Sequence, residues 1–177
     1  MDNCSLEKAV VPAHHVASFD MMPEGGPAAR QEDAMSVKSI LDQKGRDVAT
    51  VDPDVSLGVA ARLLAEKKIG ALVVTKGNRK IAGILSERDI VRLIGSKGVD
   101  ALALKVSDAM TASVKICRED HSINDVMEIM TMGRFRHLPV EKDGALDGII
   151  SIGDVVKRRI EDVEREAEEI RTYIATA

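Results

Sequence analysis

From Val48 onward the sequence can be laid on itself, and this duplication restricts the possible folds more than any other property of the chain. Asp54 falls on Asp120, Ser56 on Ser122 and Leu72 on Leu138, each 66 positions apart. One residue is then lost in a turn, and Gly83 meets Gly148, Ser86 meets Ser151 and Asp89 meets Asp154 at an offset of 65. Such a period marks a supersecondary unit that buries its apolar face against its own copy.

Both halves read alike. Residues 49–51 and 115–117 are short strand signals, each followed by an Asp-x-Ser turn. Ser56 and Ser122 stand where a helix cap is needed, ahead of apolar residues at helical spacing: Val59, Leu63 and Leu64 in one half, Val126, Ile129 and Met130 in the other. The runs "ALVVT" and "HLPVE" follow as strands, then turns at "KGNRK" and "KDGA", then return strands at "IAGIL" and "LDGIIS". Each return strand leads into a helix beginning at Ser86 or Ser151. The expected fold is α+β: two tandem β-α-β-β-α repeats packed sheet to sheet about a pseudo-twofold axis, because neither half holds enough core to stand alone.

The boundaries read as repeat 1 over residues 35–104, repeat 2 over 105–160 and a helical extension over 161–177. Along the last helix Val156, Ile160, Val163, Ala167, Ile170 and Ile174 step by 4, 3, 4, 3 and 4, a heptad seam. That seam either lies back on its own domain or meets a second subunit. Residues 1–34 scatter Pro, Gly and Ala without period and carry no secretory pattern, so they read as a flexible extension. No ligand cluster surrounds the His14-His15 pair, and no metal site is expected there.

Composition narrows the function. With 45% hydrophobic and 31% charged residues the chain is of the soluble globular class, and it lacks the run of about twenty apolar residues a membrane span needs. A net charge of −4 argues against nucleic acid as a partner, while leaving room for a small anion held by local arginines. Only Phe19, Phe135 and Tyr173 are aromatic and Trp is absent, so a flat ligand is expected to be gripped by aliphatic side chains. Cys4 and Cys117 have no partner motif, which excludes a disulfide framework or zinc site and fits a reducing cytosol.

The doubled Gly-x-x-Ser-x-x-Asp phrase, "GILSERD" and "GIISIGD", supports two readings. In one, Ser and an acid three residues on form a capping box at each helix start. In the other, the same geometry serves a ligand: a helix start attracts phosphate, Ser86 and Ser151 donate to its oxygens, and Asp89 and Asp154 accept from ribose hydroxyls. Arg88 stands in the first phrase where Gly153 stands in the second, and Arg136 stands opposite Gly70. A cleft between the repeats that needs cations can draw on both arginines, with Arg134 a further candidate.

Taken together, the doubled unit, the two phrases, "RHLPV" at Arg136–Val140 and the "VSDAMT" linker at Val106–Thr111 resemble a pair of CBS (cystathionine-β-synthase) domains of the regulatory, stand-alone type, over about Ser36 to Ile160. The resemblance implies an adenosine nucleotide (AMP, ADP, ATP or NAD(H)) bound in clefts between the repeats, a disc-shaped homodimer, and a regulated partner protein. It assigns Asp89 and Asp154 to ribose. Ile69, Gly70 and Ala71, with Arg136 and His137, take the adenine and phosphate walls, Ile84 and Ile149 press on the base, and Ala49 and Lys115 border the opposite repeat's site. No nucleophile elbow, metal-ligand spacing or Walker loop is present, so neither catalytic residues nor a catalytic cofactor are expected. The alternative is a dimerisation or scaffold protein whose ligand sites are vestigial.

Overall fold

The computed structural model describes residues 35–176, so the expectations for residues 1–34 lie outside the described residues. In chain order the elements are α1 (Val37–Lys44), β1 (Thr50–Val51), α2 (Leu57–Lys67), β2 (Ala71–Lys76), β3 (Lys80–Ser86) and α3 (Glu87–Lys97). Two 3-10 turns, Val99–Ala103 and Val106–Asp108, lead to α4 (Ile123–Gly133), β4 (His137–Lys142), β5 (Ala145–Ser151) and α5 (Ile152–Thr176). The α+β duplication is present, and it extends to irregularities. Helices α2 and α4 both end in a left-handed residue, Lys68 and Arg134, each at φ 53°. Each hairpin shifts register at one place, Val74/Thr75 and Val140/Glu141, again 66 positions apart.

The capping residues act as expected. Val59 N–H donates to Ser56 Oγ at 3.4 Å, and Asp125 N–H to Ser122 Oγ at 3.1 Å. The strand expected at 115–117, however, is a single bridge between Cys117 and Val140. In repeat 1, Val73 N–H donates to the Ala49 carbonyl at 3.2 Å. The equivalent residue of repeat 2 is Pro139, which has no N–H, so the ladder stops short of Lys115.

The cores cross the expected boundary. Leu57 N–H donates to the Leu104 carbonyl and Val106 N–H to that of Val55; in the same way Ile123 N–H donates to the Met35 carbonyl and Val37 N–H to that of His121, all at 2.8–2.9 Å. The segment leading into each repeat therefore packs on the other one. Val37, Ile40 and Leu41 of α1 are buried with Ile123, Met130 and Leu138, and Val106 is buried with Leu57, Leu72 and Leu85. Arg46, just past α1, fastens that helix to repeat 2 through ion pairs with Glu119 and Asp147 and, at 3.1 Å, with Asp42 of α1.

This crossing explains the glycine of the doubled phrase. A Cβ on Gly148 would lie 2.7 Å from Leu41 Cδ2, and one on Gly83 would lie 2.6 Å from Met110 Sδ. Both contacts are shorter than carbon and sulfur tolerate. The sheets, β1-β2-β3 and β4-β5, approach along β3 and β5, where Leu146 N–H donates to the Arg79 carbonyl at 3.0 Å.

Helix α5 is continuous over 25 residues. Val155 and Asp162, seven residues apart on one face, are buried, whereas the seam from Val156 to Ile174 faces out. Among the described residues no helix is long and apolar enough to cross a membrane.

Candidate functional site: two clefts between the repeats

Two clefts open where the repeats meet, one of about 300 Å³ and the other of about 830 Å³. The smaller is built on the start of α3. Repeat 1 contributes Ile84, Ser86, Arg88 and Asp89, while Arg136 and His137 of repeat 2 and Lys115 close it. The larger is built on the start of α5 from Ser151, Asp154 and Ile149, and is closed by Ala49 and Ile69 of repeat 1. Gly70, Ala71 and His137 line both. All the candidate residues therefore border one cleft or the other, and the two aspartates lie in different clefts.

The capping geometry is present at both helix starts. Asp89 Oδ2 accepts from Ser86 N–H at 3.0 Å and from Ser86 Oγ–H at 2.6 Å. Asp154 Oδ2 accepts from Ser151 N–H at 2.7 Å and Oγ–H at 2.8 Å. Each serine hydroxyl has one proton, and it is engaged with its own aspartate. Donation from Ser86 or Ser151 to a phosphate therefore competes with these bonds. The second carboxylate oxygen, Oδ1, takes no part in them. In the smaller cleft Arg92 stands 3.7 Å from Asp89 Oδ1, and Glu87 N–H is engaged with the Gly70 carbonyl at 3.1 Å. In the larger cleft Ile152 N–H is likewise engaged with the Arg136 carbonyl at 2.9 Å. The capping and ligand readings are thus compatible: the cap uses one oxygen and presents the other.

Lys44 Nζ lies 2.6 Å from Asp154 Oδ2. Burial alone would raise the Asp154 carboxyl, but the bonds from Lys44 and Ser151 outweigh it and hold the group below the ordinary carboxylate range. His137 is held below the usual imidazole range, first by burial and then by neighbouring Arg136. Its ring stands over Gly70, where a Cβ would lie 3.3 Å from Cε1. The buried Cys117 thiol is pushed up to about 12, which removes it as a nucleophile at neutral pH.

Several lining residues were not among the candidates. Phe135 borders the smaller cleft, so an aromatic ring stands there beside the aliphatic side chains that composition led us to expect. Its signal was available: it is the repeat-2 counterpart of Ile69. Lys44, Lys67, Lys68 and Arg79 border the larger cleft. Lys44 was hidden because α1 precedes the repeat and crosses to the other half. The clefts also differ in their cations. Four arginines (Arg88, Arg92, Arg134 and Arg136) and Lys115 surround the smaller, whereas three lysines and one arginine surround the larger. Both sets suit an anion, with the guanidiniums offering paired donors and the ammoniums point charges. Among the described residues no group of His, Cys, Asp and Glu is placed to hold a metal ion.

Comparison with known proteins agrees with this architecture. A family model for the CBS domain matches residues 37–96 and 106–161. The chain is 30% identical over 181 residues to the mitochondrial CBS domain-containing protein CBSX3 of Arabidopsis thaliana, covering 94% of this chain and 87% of that protein. It is 54% identical to the CBS-domain protein ATU1752 of Agrobacterium tumefaciens, with a TM-score of 0.69 over 71% of this chain and 94% of the other. The structure of CBSX2 in complex with AMP is also similar, at 29% identity and a TM-score of 0.62, over 71% of this chain and 97% of that one.

Proposed function

Because this chain belongs to the CBS domain family as a tandem pair, we propose that it is a non-catalytic regulatory module that binds adenosine nucleotides in the two clefts between its repeats. The observation that carries this reading is the repeated division of labour in the clefts. In each, one repeat supplies a carboxylate at a helix start with one oxygen outside the capping bonds, and the other repeat helps close the cleft. A carboxylate of this kind suits the hydroxyls of a ribose, and the surrounding cations suit phosphate. The AMP complex of the related CBSX2 supports the same ligand class.

The smaller cleft, with its arginines and Phe135, takes the nucleotide first in this reading, with AMP, ATP and NAD(H) as the candidates. Because both repeats form each cleft, a ligand there changes the angle between them, and a partner protein reads that change. The reading includes a homodimer in a reducing, cytosolic setting. A thermal-shift series with AMP, ATP, NAD and NADH, with GTP as the base control, tests it. Ligand at 100 times its dissociation constant adds about 2.7 kcal/mol of stability. An increase with adenosine compounds that is lost in Asp89→Asn supports the reading. No increase with any of them, in a protein that melts cooperatively, refutes it in favour of a scaffold with vestigial sites.

A further inference from the structure

The outward face of α5 has a pattern of its own. Val156, Val163 and Ile170 occupy d positions of a heptad, and Ile160, Ala167 and Ile174 occupy a positions. All but the small Ala167 are 44–70% exposed. The opposite face is fixed to the domain, with Val155 and Asp162 buried and Arg158 and Arg165 holding Asp162 Oδ1 at 3.4 and 2.9 Å. At its N-terminal end the seam forms an apolar trough of about 280 Å³ with Met127 of α4, bordered by Arg159 and Glu164.

We propose that residues 156–174 form a parallel two-stranded coiled coil with the same helix of a second copy of this chain. The flanking charges identify both the occupant and its direction. In a parallel pair each g residue faces the e residue five positions further along the other helix. Arg159 then meets the partner's Glu164, and Glu166 meets the partner's Arg171, so opposite charges face each other at every such contact. A fully overlapped antiparallel pair instead sets Glu164 against the partner's Glu164, Glu166 against the partner's Glu166 and Lys157 against the partner's Arg171, all of like charge. Among the described residues Arg159, Glu164 and Glu166 make no ion pair within the chain, while Lys157, Arg158, Arg165 and Arg171 do. The inference rests on the homodimer reading and is independent of the nucleotide.

Two measurements on the full chain test it. In a Cys4→Ser background, Ile174→Cys is expected to form a disulfide-linked dimer on mild oxidation. Parallel helices bring the two 174 positions together, whereas an antiparallel pair separates them by about 27 Å at 1.5 Å per residue. In sedimentation equilibrium E166K is expected to raise the dimer dissociation constant about tenfold, because two attractive pairs become repulsive, and E166K/R171E is expected to restore it. All three positions are exposed, so the fold is retained, and circular dichroism checks this. A monomer throughout the titration overturns the proposal. A dimer that neither links through residue 174 nor responds to E166K places the contact on another face and also overturns it, while leaving the dimer intact.

Discussion

The crossing of α1 into the second repeat makes a quantitative prediction at Gly148. Replacing this glycine with alanine puts a methyl 2.7 Å from Leu41 Cδ2 and 3.1 Å from Cδ1. Leu41 is 1% exposed and packed in the core, so it has no open space to move into. Overpacking of this kind costs about 1–3 kcal/mol. At about 2–4 °C per kcal/mol for a chain of this size, Gly148→Ala is expected to melt about 2–12 °C lower than the wild type in calorimetry. Leu41→Ala alone opens a cavity and costs about 2–5 kcal/mol. The informative variant is the pair. In Gly148→Ala/Leu41→Ala the new methyl enters the space the leucine leaves, so the double variant is expected to be more stable than the sum of the singles by about 1 kcal/mol. Strict additivity, or a neutral Gly148→Ala, would refute the contact and with it the crossed packing of α1.

The folded Asp154 carboxyl is depressed, because the bonds from Lys44 and Ser151 outweigh burial, so it contributes stability that is present above the unfolded carboxylate range and is lost as pH falls through the folded value. Lys44→Met is expected to cost about 1 kcal/mol at neutral pH, and its melting curve is expected to converge on the wild type as pH falls below that range; a difference independent of pH would contradict the pairing. Pro139→Val restores the donor that Val73 provides in repeat 1, so NMR exchange is expected to find a protected amide at position 139. Exchange there at the solvent rate would show that the proline is not what ends the ladder.

The parts of the molecule that the sequence made legible are those governed by local chemistry repeated at a fixed offset. Asp89 and Asp154, with Ser86 and Ser151, were found by overlaying the halves, and the same overlay predicts their capping bonds. The crossing of the lead-in segments was not legible, because Val37 matches Val106 at an offset of 69, outside the period of the repeat, and nothing local says which core they enter. Lys44 was missed for that reason. The short strand at 115–117 failed on one atom, the amide hydrogen Pro139 lacks. Phe135 was missed although the period pointed to it, because the count of aromatic residues outweighed their position. The outward direction of the α5 seam depends on which face Val155 and Asp162 bury, which spacing alone cannot give.

Equilibrium dialysis of labelled AMP against the wild type, Asp89→Asn and Asp154→Asn tests whether the clefts hold adenosine nucleotide. Saturable binding to the wild type is expected, with the stoichiometry or affinity reduced by the substitution in the occupied cleft and retained in the other variant. Binding that survives in both variants and in their combination, or no binding to a folded wild type, would contradict it.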